Sequence, residues 1–139
     1  MVQINEKIGM TIEPYIFGVE KGKFRELALA IGDEKEEYLS GELAPPTFPT
    51  IIEFQGSVFS FSDFLNVRDD QLLHGEQEYH YFSKFKHGDS ITVTGIVENA
   101  YKKKSKNFFV IKREFRNQYN EIIAVSRTTI IELIQEELK

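Results

Sequence analysis

Two side chains in this sequence are the leading candidates for acid–base chemistry near neutral pH, Asp33 and His74. Asp33 follows Gly32 directly after a short helical pattern, and His74 precedes Gly75. A carboxylate and an imidazole are groups that commonly transfer protons in catalysis. Each also has an ordinary alternative, because a Gly-Asp pair often forms a solvated turn and a histidine often makes a structural hydrogen bond. Whether they form a site depends on whether the fold brings them together.

Metal and thiol chemistry are not indicated by the sequence. The chain contains no cysteine, which excludes thiol catalysis and thiolate metal sites. The spacings of its histidines, at positions 74, 80 and 87, match no common zinc motif. We therefore expect no metal and no cofactor, and structural or surface roles for His80 and His87.

The composition is that of a globular protein of 139 residues, with 41% hydrophobic and 28% charged residues. We expect a single domain over residues 1–139. The formal net charge of −5 argues against non-specific binding to nucleic acid. No apolar signal segment opens the sequence and no run is apolar enough to span a membrane. These features predict a cytoplasmic protein with neither a nucleic acid nor a membrane as its partner.

The apolar stretch from Phe48 to Phe64 is the segment around which the chain is expected to be organised. Thr47 is a suitable N-cap, and Pro49 fits a first helical turn, where a missing N–H costs nothing. Few charges follow, with only Glu53 and Asp63 interrupting the run. A helix that is apolar on most of its circumference is a buried helix. We expect one long central helix here.

The rest of the sequence predicts a wrapper of strands. A helix over 23–31, ended by Gly32, follows an irregular approach over 8–20. Runs of strand-type sequence then predict long strands over 76–85, 91–98, 108–116 and 121–133. The second and third place apolar residues on one face, and the last is rich in Ile and Thr. Gly95 is a candidate for a bend or bulge. The fold class is therefore α+β, with a long central helix wrapped by a curved antiparallel β-sheet.

Three local strings resemble a known family. They are Ala44-Pro45-Pro46-Thr47-Phe48-Pro49, Leu73-His74-Gly75-Glu76-Gln77-Glu78-Tyr79 and His87-Gly88-Asp89. In this order they resemble the N-terminal domain type of the MaoC-like dehydratases, which has the hot-dog fold. The pattern is most similar to the acyl-binding subunits of heterodimeric R-3-hydroxyacyl-ACP dehydratases. The resemblance covers about residues 15–133.

The resemblance implies a catalytic motif, Gly-Asp-x-Asn-Pro-x-His, that this chain matches only in part. Asp33 is retained, but Lys35 replaces Asn, Glu36 replaces Pro and Tyr38 replaces His. A tyrosine hydroxyl titrates near ~10, so it is a poor base at neutral pH. In the family that the chain resembles, the silent subunits of the heterodimeric enzymes also tend to lack this His. His74 is the remaining imidazole that could substitute for it, should it lie near Asp33.

The resemblance also implies an acyl tunnel along the central helix, whose N-terminus would polarise a thioester carbonyl. The expected substrate-binding residues are Thr47, Phe48, Thr50, Ile51 and Phe54. The implied ligand is an acyl-CoA or acyl-ACP thioester, and the implied assembly is a homodimer or a heterodimer with a catalytic hot-dog subunit. Three functions follow as alternatives. The chain is an acyl-binding subunit of a two-subunit dehydratase, a self-sufficient homodimeric enoyl-thioester hydratase, or a non-enzymatic acyl-thioester-binding module.

Overall fold

The structure is a computed structural model, and it describes residues 4–55 and 60–134 of the chain. Within these ranges the chain forms helices and strands with the following bounds: α1 Lys21–Ile31, α2 Glu36–Ser40, α3 Phe48–Gln55, α4 Phe61–Leu65, β1 Thr11–Gly18, β2 Leu72–Tyr81, β3 Ser90–Lys103, β4 Lys106–Arg116 and β5 Ile122–Leu133. Short 3-10 helices cover Ile4–Lys7 and Asp69–Gln71. None of the helices in the described part of the chain has the length and apolar character needed to cross a membrane.

The strands form an antiparallel sheet in the order β1-β3-β4-β5-β2. Strands β3, β4 and β5 are joined by two hairpins and pair in sequence order, whereas β2 pairs with β5, which is not its neighbour in the chain. As a result β2 is an edge strand, and most of its residues are exposed. An unpaired edge of this length is a surface onto which another strand can be added.

Helix α3 packs against one face of the sheet. Phe48 and Ile52 are fully buried and belong to the same core cluster as Val93, Phe115 and Ile123 of the strands. Pro49 lies in the first turn of α3, as the sequence predicts. The prediction of a helix buried against an antiparallel sheet is therefore confirmed.

The length predicted for the central helix is wrong. Helix α3 ends at Gln55, and Ser60 has extended dihedral angles of φ −127° and ψ 125°. The Ser60 hydroxyl accepts a hydrogen bond from the Asp63 N–H, so it caps a new helix, α4. Phe54 is 62% exposed, which departs from the expected all-round burial. Residues 56–59 of the predicted helix lie outside the described residues.

Two other predictions of local structure need correction, and the one for Gly95 can be made more specific. The approach over 8–20 is not irregular but contains β1, which shifts register against β3 between Ile12 and Tyr15, where Pro14 cannot donate a ladder hydrogen bond. The first strand of the second half is β2, which ends at Tyr81 and not at residue 85. Gly95 lies in regular pairing opposite Arg113, and a Cβ there would lie 2.8 Å from Ile12 Cδ1. Gly95 therefore allows close side-chain packing. It pairs with Ile12 and so adjoins the register shift between β1 and β3, as expected of a residue at a bulge, whereas the shift between β3 and β4 lies between Val97 and Asn99.

The remaining elements agree with the sequence. Gly32 ends α1 with φ 75°, where the absence of a Cβ makes a left-handed conformation inexpensive. The β3–β4 and β4–β5 hairpins turn at the expected positions, and Asn120 has φ 65°. The observed α+β arrangement is the predicted class.

Candidate functional site

A buried carboxylate lies between α3 and the sheet. Glu53 on α3 is only 6% exposed and accepts hydrogen bonds from three different strands. Its Oε1 accepts from the Tyr79 hydroxyl of β2 at 2.7 Å. Its Oε2 accepts from Arg113 Nη1 of β4 at 3.1 Å and from the Ser126 hydroxyl of β5 at 2.6 Å. One carboxylate thus ties the helix to three strands of the sheet.

Arg113 balances the charge of this carboxylate. It is 4% exposed, and its guanidinium also lies 5.5 Å from the centroid of the Phe61 ring. Removing two charges from water costs several kcal/mol per ion, and the cost is offset only when hydrogen bonds satisfy the remaining polar atoms. The hydroxyls of Tyr79 and Ser126 supply such bonds to Glu53. The pair is therefore a compensated unit and not a free acid or base.

Two tyrosines extend this polar cluster. The Tyr79 hydroxyl lies 2.7 Å from Thr50 Oγ1, and the Tyr15 hydroxyl donates to the Ile52 carbonyl at 2.8 Å. Burial raises the pKa of Tyr15 to about 12, against a partial opposing effect of the Arg113 charge. The pKa of Tyr79 is raised even more, mainly by burial and secondly by the negative charge of Glu53. Both phenols stay protonated at neutral pH, so both are hydrogen-bond donors there.

A cavity of about 80 Å³ adjoins the ion pair. It lies between the two helices α3 and α4 on one side and the strands β2, β4 and β5 on the other. The described residues that line it combine aromatic and polar side chains: Glu53, Phe54, Phe61, His74, Gln77, Arg113 and Thr128. A mixed lining of this kind is typical of small-molecule sites.

The structure places Asp33 outside this cavity. Asp33 is exposed, and its backbone N–H donates to the Ala28 carbonyl at 3.0 Å as part of the end of α1. Tyr38, at the position of the missing His, lies on α2 and is 6% exposed. The Lys35 ammonium lies 5.6 Å from the centroid of its ring. Neither Asp33 nor Tyr38 is among the described residues that line the cavity.

His74 does line the cavity. It is exposed on β2, and its Nε2 lies 3.1 Å from Gln77 Oε1. Gln77 Oε1 also accepts from the Thr128 hydroxyl at 2.9 Å. The two candidate acid–base residues of the sequence therefore lie at different places, His74 at the cavity and Asp33 at the end of α1. The other histidines are exposed, with His80 Nε2 3.0 Å from Glu78 Oε2.

The expected substrate-binding residues occupy different environments on α3. Thr47 is exposed, Phe48 is fully buried, and Thr50 and Ile51 are half-buried. Of the five, Phe54 is the one that lines the cavity. At the start of the helix the Thr50 N–H donates to the Thr47 carbonyl at 3.0 Å, so this donor is engaged within the chain. Their role in substrate binding stays a prediction.

Sequence reasoning missed Arg113 and treated Glu53 only as an interruption. A signal for Arg113 was present, because it continues the period-two pattern of buried Phe109, Ile111 and Phe115 along β4. A single carboxylate within an apolar helix and a single arginine on an apolar strand face are expected to pair. In the described residues no group of three or more His, Asp or Glu side chains is placed to hold a metal ion.

Comparison with known proteins gives a family match over most of the chain. The model of the family described as "FAS1-like, dehydratase domain region" matches residues 6–126. A UPF0336 protein of Streptomyces griseus is 25% identical over 142 residues, which cover 94% of this chain and 95% of that protein.

Solved structures with the same fold include hydroxyacyl dehydratases. The HadBC (3R-Hydroxyacyl-ACP Dehydratase) complex of Mycobacterium tuberculosis matches with a TM-score of 0.73 and 20% identity, over 93% of this chain and 99% of that chain. A protein described as a MaoC-like dehydratase matches with a TM-score of 0.81 and 18% identity, over 94% of this chain and 43% of that chain. The predicted hot-dog fold is confirmed.

Proposed function

Since the chain belongs to the FAS1-like, dehydratase domain region family and has a function of the hydratase or dehydratase type, we propose that it is the acyl-binding subunit of a two-subunit R-3-hydroxyacyl-thioester dehydratase. It acts as one hot-dog domain over residues 1–139, which binds the acyl part of a CoA or carrier-protein thioester. A second hot-dog chain with a complete Asp/His pair supplies the catalytic groups.

The observation that carries this proposal is the state of the catalytic motif. Hydration of an enoyl thioester adds the water oxygen to C3 and a proton to C2, so it needs a positioned base and a positioned acid. Tyr38 stands where the motif has its imidazole and is 6% exposed, while Asp33 is exposed at the end of α1. His74 lines the cavity and Asp33 is not among the described residues that do, so the proposal does not give His74 the role of the missing imidazole.

The exposed edge of the sheet supports the proposal that a second chain binds here. Within residues 4–55 and 60–134, strand β2 is paired on one side only, with β5. Leu73, Tyr81 and Phe82 are 50%, 46% and 67% exposed along or directly after this strand, and Phe54 is exposed on the neighbouring helix. A second hot-dog chain that pairs with β2 would cover these side chains and satisfy the strand's free backbone groups. The HadBC structure is a complex of two kinds of subunit, which fits this assembly.

The test is an absorbance assay of crotonyl-CoA hydration by the purified chain. We expect turnover at or near background, because loss of a positioned acid–base group typically costs about 10²–10⁴-fold in rate. Adding a hot-dog subunit that carries the complete motif should restore activity, and the two chains should co-purify. Robust turnover by the chain alone that is lost in Asp33→Asn would overturn the proposal and make the protein a self-sufficient hydratase.

A further inference from the structure

A cluster of lysines lies at the tip of the β3–β4 hairpin. Four of them fall within five positions of sequence, and all four are exposed: Lys102, Lys103, Lys104 and Lys106. In the part of the chain that the structure describes, none of the four takes part in an ion pair. The formal net charge of the protein is −5, and without these four positive charges it would be −9. The tip is therefore a local basic patch on an acidic protein.

The conformation of the hairpin holds these charges together at a cost to stability. Lys103 lies directly opposite Lys106 in the antiparallel pairing, and like charges opposite each other on two strands destabilise a sheet. Between them, Lys104 and Ser105 have φ 51° and 63°, in a turn conformation that Asn and Gly favour. Local strain of this kind is common at ligand sites. An anion bound between the two opposed ammonium groups would remove their repulsion.

Two aromatic rings lie beside these lysines on the same face of the sheet. Tyr101 is paired with Phe108, and their rings are stacked with centroids 5.0 Å apart and planes 4° apart. Side chains two positions apart in a strand share a face, so each ring has one lysine as its neighbour along the strand, Lys103 or Lys106. Phe109, which follows Phe108, is fully buried in the core. The rings and these two lysines therefore lie on the outer face of the sheet, opposite α3 and α4.

One face of the Tyr101 ring is open. Phe108 covers the face towards β4, and on the other side strand β1 pairs with β3 only between Ser90 and Ile96. Among the described residues no strand pairs with β3 beside Tyr101 on that side, and this side chain is 40% exposed. Nucleobases stack on exposed aromatic side chains of this kind. The hairpin thus combines a surface for stacking with cations in the next residue pair on the same face.

We propose that this hairpin binds a nucleotide that carries a diphosphate, such as ADP or the nucleotide half of CoA. The base stacks on Tyr101, and the phosphates lie between Lys103 and Lys106. Lys102 and Lys104 add to the local positive charge, which favours a compact polyanion. A long nucleic acid is disfavoured, because the rest of the chain has a formal net charge of −9. This inference goes beyond the proposed function and does not depend on it, since the acyl group is proposed to bind along α3, on the inner face of the sheet.

The test is a titration of the isotope-labelled full chain followed by NMR chemical shifts at low ionic strength. The ligands are ADP, pyrophosphate, which lacks the base, and adenosine, which lacks the phosphates. We expect ADP to shift the amide signals of residues 101–108. It should bind about tenfold more tightly than pyrophosphate, the equivalent of about 1.4 kcal/mol, as the stacking of one base implies. Adenosine should bind most weakly, and added salt should weaken the binding of ADP because exposed charges are screened.

Two variants of the hairpin separate the role of the ring from that of the charges. Tyr101→Val removes the ring but keeps a residue suited to a strand. It should lower the affinity for ADP to that for pyrophosphate and leave the affinity for pyrophosphate unchanged. The double variant Lys103→Gln, Lys106→Gln should lower the affinity for both ligands by about tenfold, as expected for two exposed charge contacts. The NMR spectrum of each variant shows directly whether it is folded.

The matched controls change the same residue types at the opposite end of the sheet. They are Tyr119→Val, at a side chain that is 74% exposed in the β4–β5 turn, and the double variant Lys84→Gln, Lys86→Gln, at two exposed lysines before β3. Both should leave the affinities for ADP and pyrophosphate unchanged. An equal loss of ADP binding in the controls and in the hairpin variants overturns the inference, because binding would then follow the overall charge.

The remaining outcomes identify the ligand. The inference is overturned if ADP binds no more tightly than pyrophosphate, or if the hairpin signals do not shift; the lysines are then only a solvated hairpin tip. An oligonucleotide of deoxyadenosine that binds more tightly than ADP overturns the assignment to a single nucleotide. CoA is titrated separately. Hairpin shifts at lower concentrations of CoA than of ADP assign the site to the nucleotide half of CoA, the reverse order assigns it to free nucleotides, and both results support the inference.

Discussion

The ion pair between Glu53 and Arg113 gives the sharpest test of how the core is built. Replacing Arg113 by Met removes the guanidinium but keeps a side chain of similar length. The Glu53 carboxylate, 6% exposed beside Arg113, then keeps the hydroxyls of Tyr79 and Ser126 as its donors among the described residues. Leaving a buried charge without its partner typically lowers the free energy of unfolding by about 3–5 kcal/mol. Since small domains are stable by about 5–15 kcal/mol, the loss should be large in urea unfolding.

A second substitution tests the reason for that loss. In the double variant Arg113→Met, Glu53→Gln the side chain at position 53 is neutral. Its carbonyl oxygen can accept from one of the two hydroxyls, Tyr79 or Ser126, and its NH2 group can donate to the oxygen of the other. The unpaired charge is gone, so we expect the double variant to regain about 2 kcal/mol relative to Arg113→Met alone. The original protein, Arg113→Met, Glu53→Gln and the double variant form a double-mutant cycle. The midpoints and slopes of their urea unfolding curves give the coupling energy between positions 53 and 113.

Arg116→Met is the matched control on the same strand. Arg116 pairs with Glu114 at 3.1 Å, and both side chains are partly open to solvent, so the pair is expected to be worth about 0–1 kcal/mol, as surface pairs are. The reasoning is refuted if Arg113→Met costs no more than Arg116→Met. It is refuted equally if the double variant is as unstable as Arg113→Met, because the cost would then come from lost packing and not from charge.

Four further predictions concern the buried helix, the phenol of Tyr15, the assembly and the catalytic motif. Ile52→Ala should lower the free energy of unfolding in urea by roughly 2–5 kcal/mol, because Ile52 is fully buried on the side of α3 that faces the sheet. A change below about 0.5 kcal/mol would contradict that packing. The pKa of Tyr15 is raised to about 12, so the contribution of this phenol to stability is complete below about pH 10 and is lost as the pH rises towards 12. The variant Tyr15→Phe should therefore lose less stability at alkaline pH than the original protein. Identical pH profiles of stability for the two proteins would contradict this prediction. Sedimentation equilibrium at micromolar concentration should show at least a dimer, and a monomer would argue against pairing through β2. Tyr38→His alone should give at most partial hydratase activity in the crotonyl-CoA assay, since Lys35 and Glu36 still differ from the motif; full activity would contradict this.

The sequence by itself determined most of the secondary structure and the fold class. Period-two alternation predicted β3 and β4, because a half-buried strand must present its apolar side chains on one face. Richness in Ile and Thr predicted β5. Helix α1 was predicted by its apolar spacing and by Gly32, whose left-handed conformation ends the helix. The motif strings indicated the family, which the match over residues 6–126 confirms. Each of these signals is local, so each can be recognised without knowing which elements touch.

The break in the apolar stretch and the position of β2 needed the tertiary structure. Ser60 caps a new helix only because the chain leaves the helical path there, and its sequence neighbours are apolar enough to suggest continuation. Strand β2 begins at Leu72, earlier than its composition predicts, because pairing with β5 extends to Glu132. Pairing with a distant strand outweighed local preference in this segment.

The polar cluster and its cavity were decided by contacts between segments far apart in the chain. Glu53 meets Arg113 and Ser126 across 60 and 73 positions of sequence. Their meeting depends on the register of β4 and β5 and on how α3 lies against the sheet, and a shift of one residue would turn Arg113 to the other face. His74 reaches the cavity for the same reason, through the pairing of β2 with β5, while Asp33 stays at the end of α1. The sequence could name the candidate residues, but only the packing of helix on sheet decided which of them share a site.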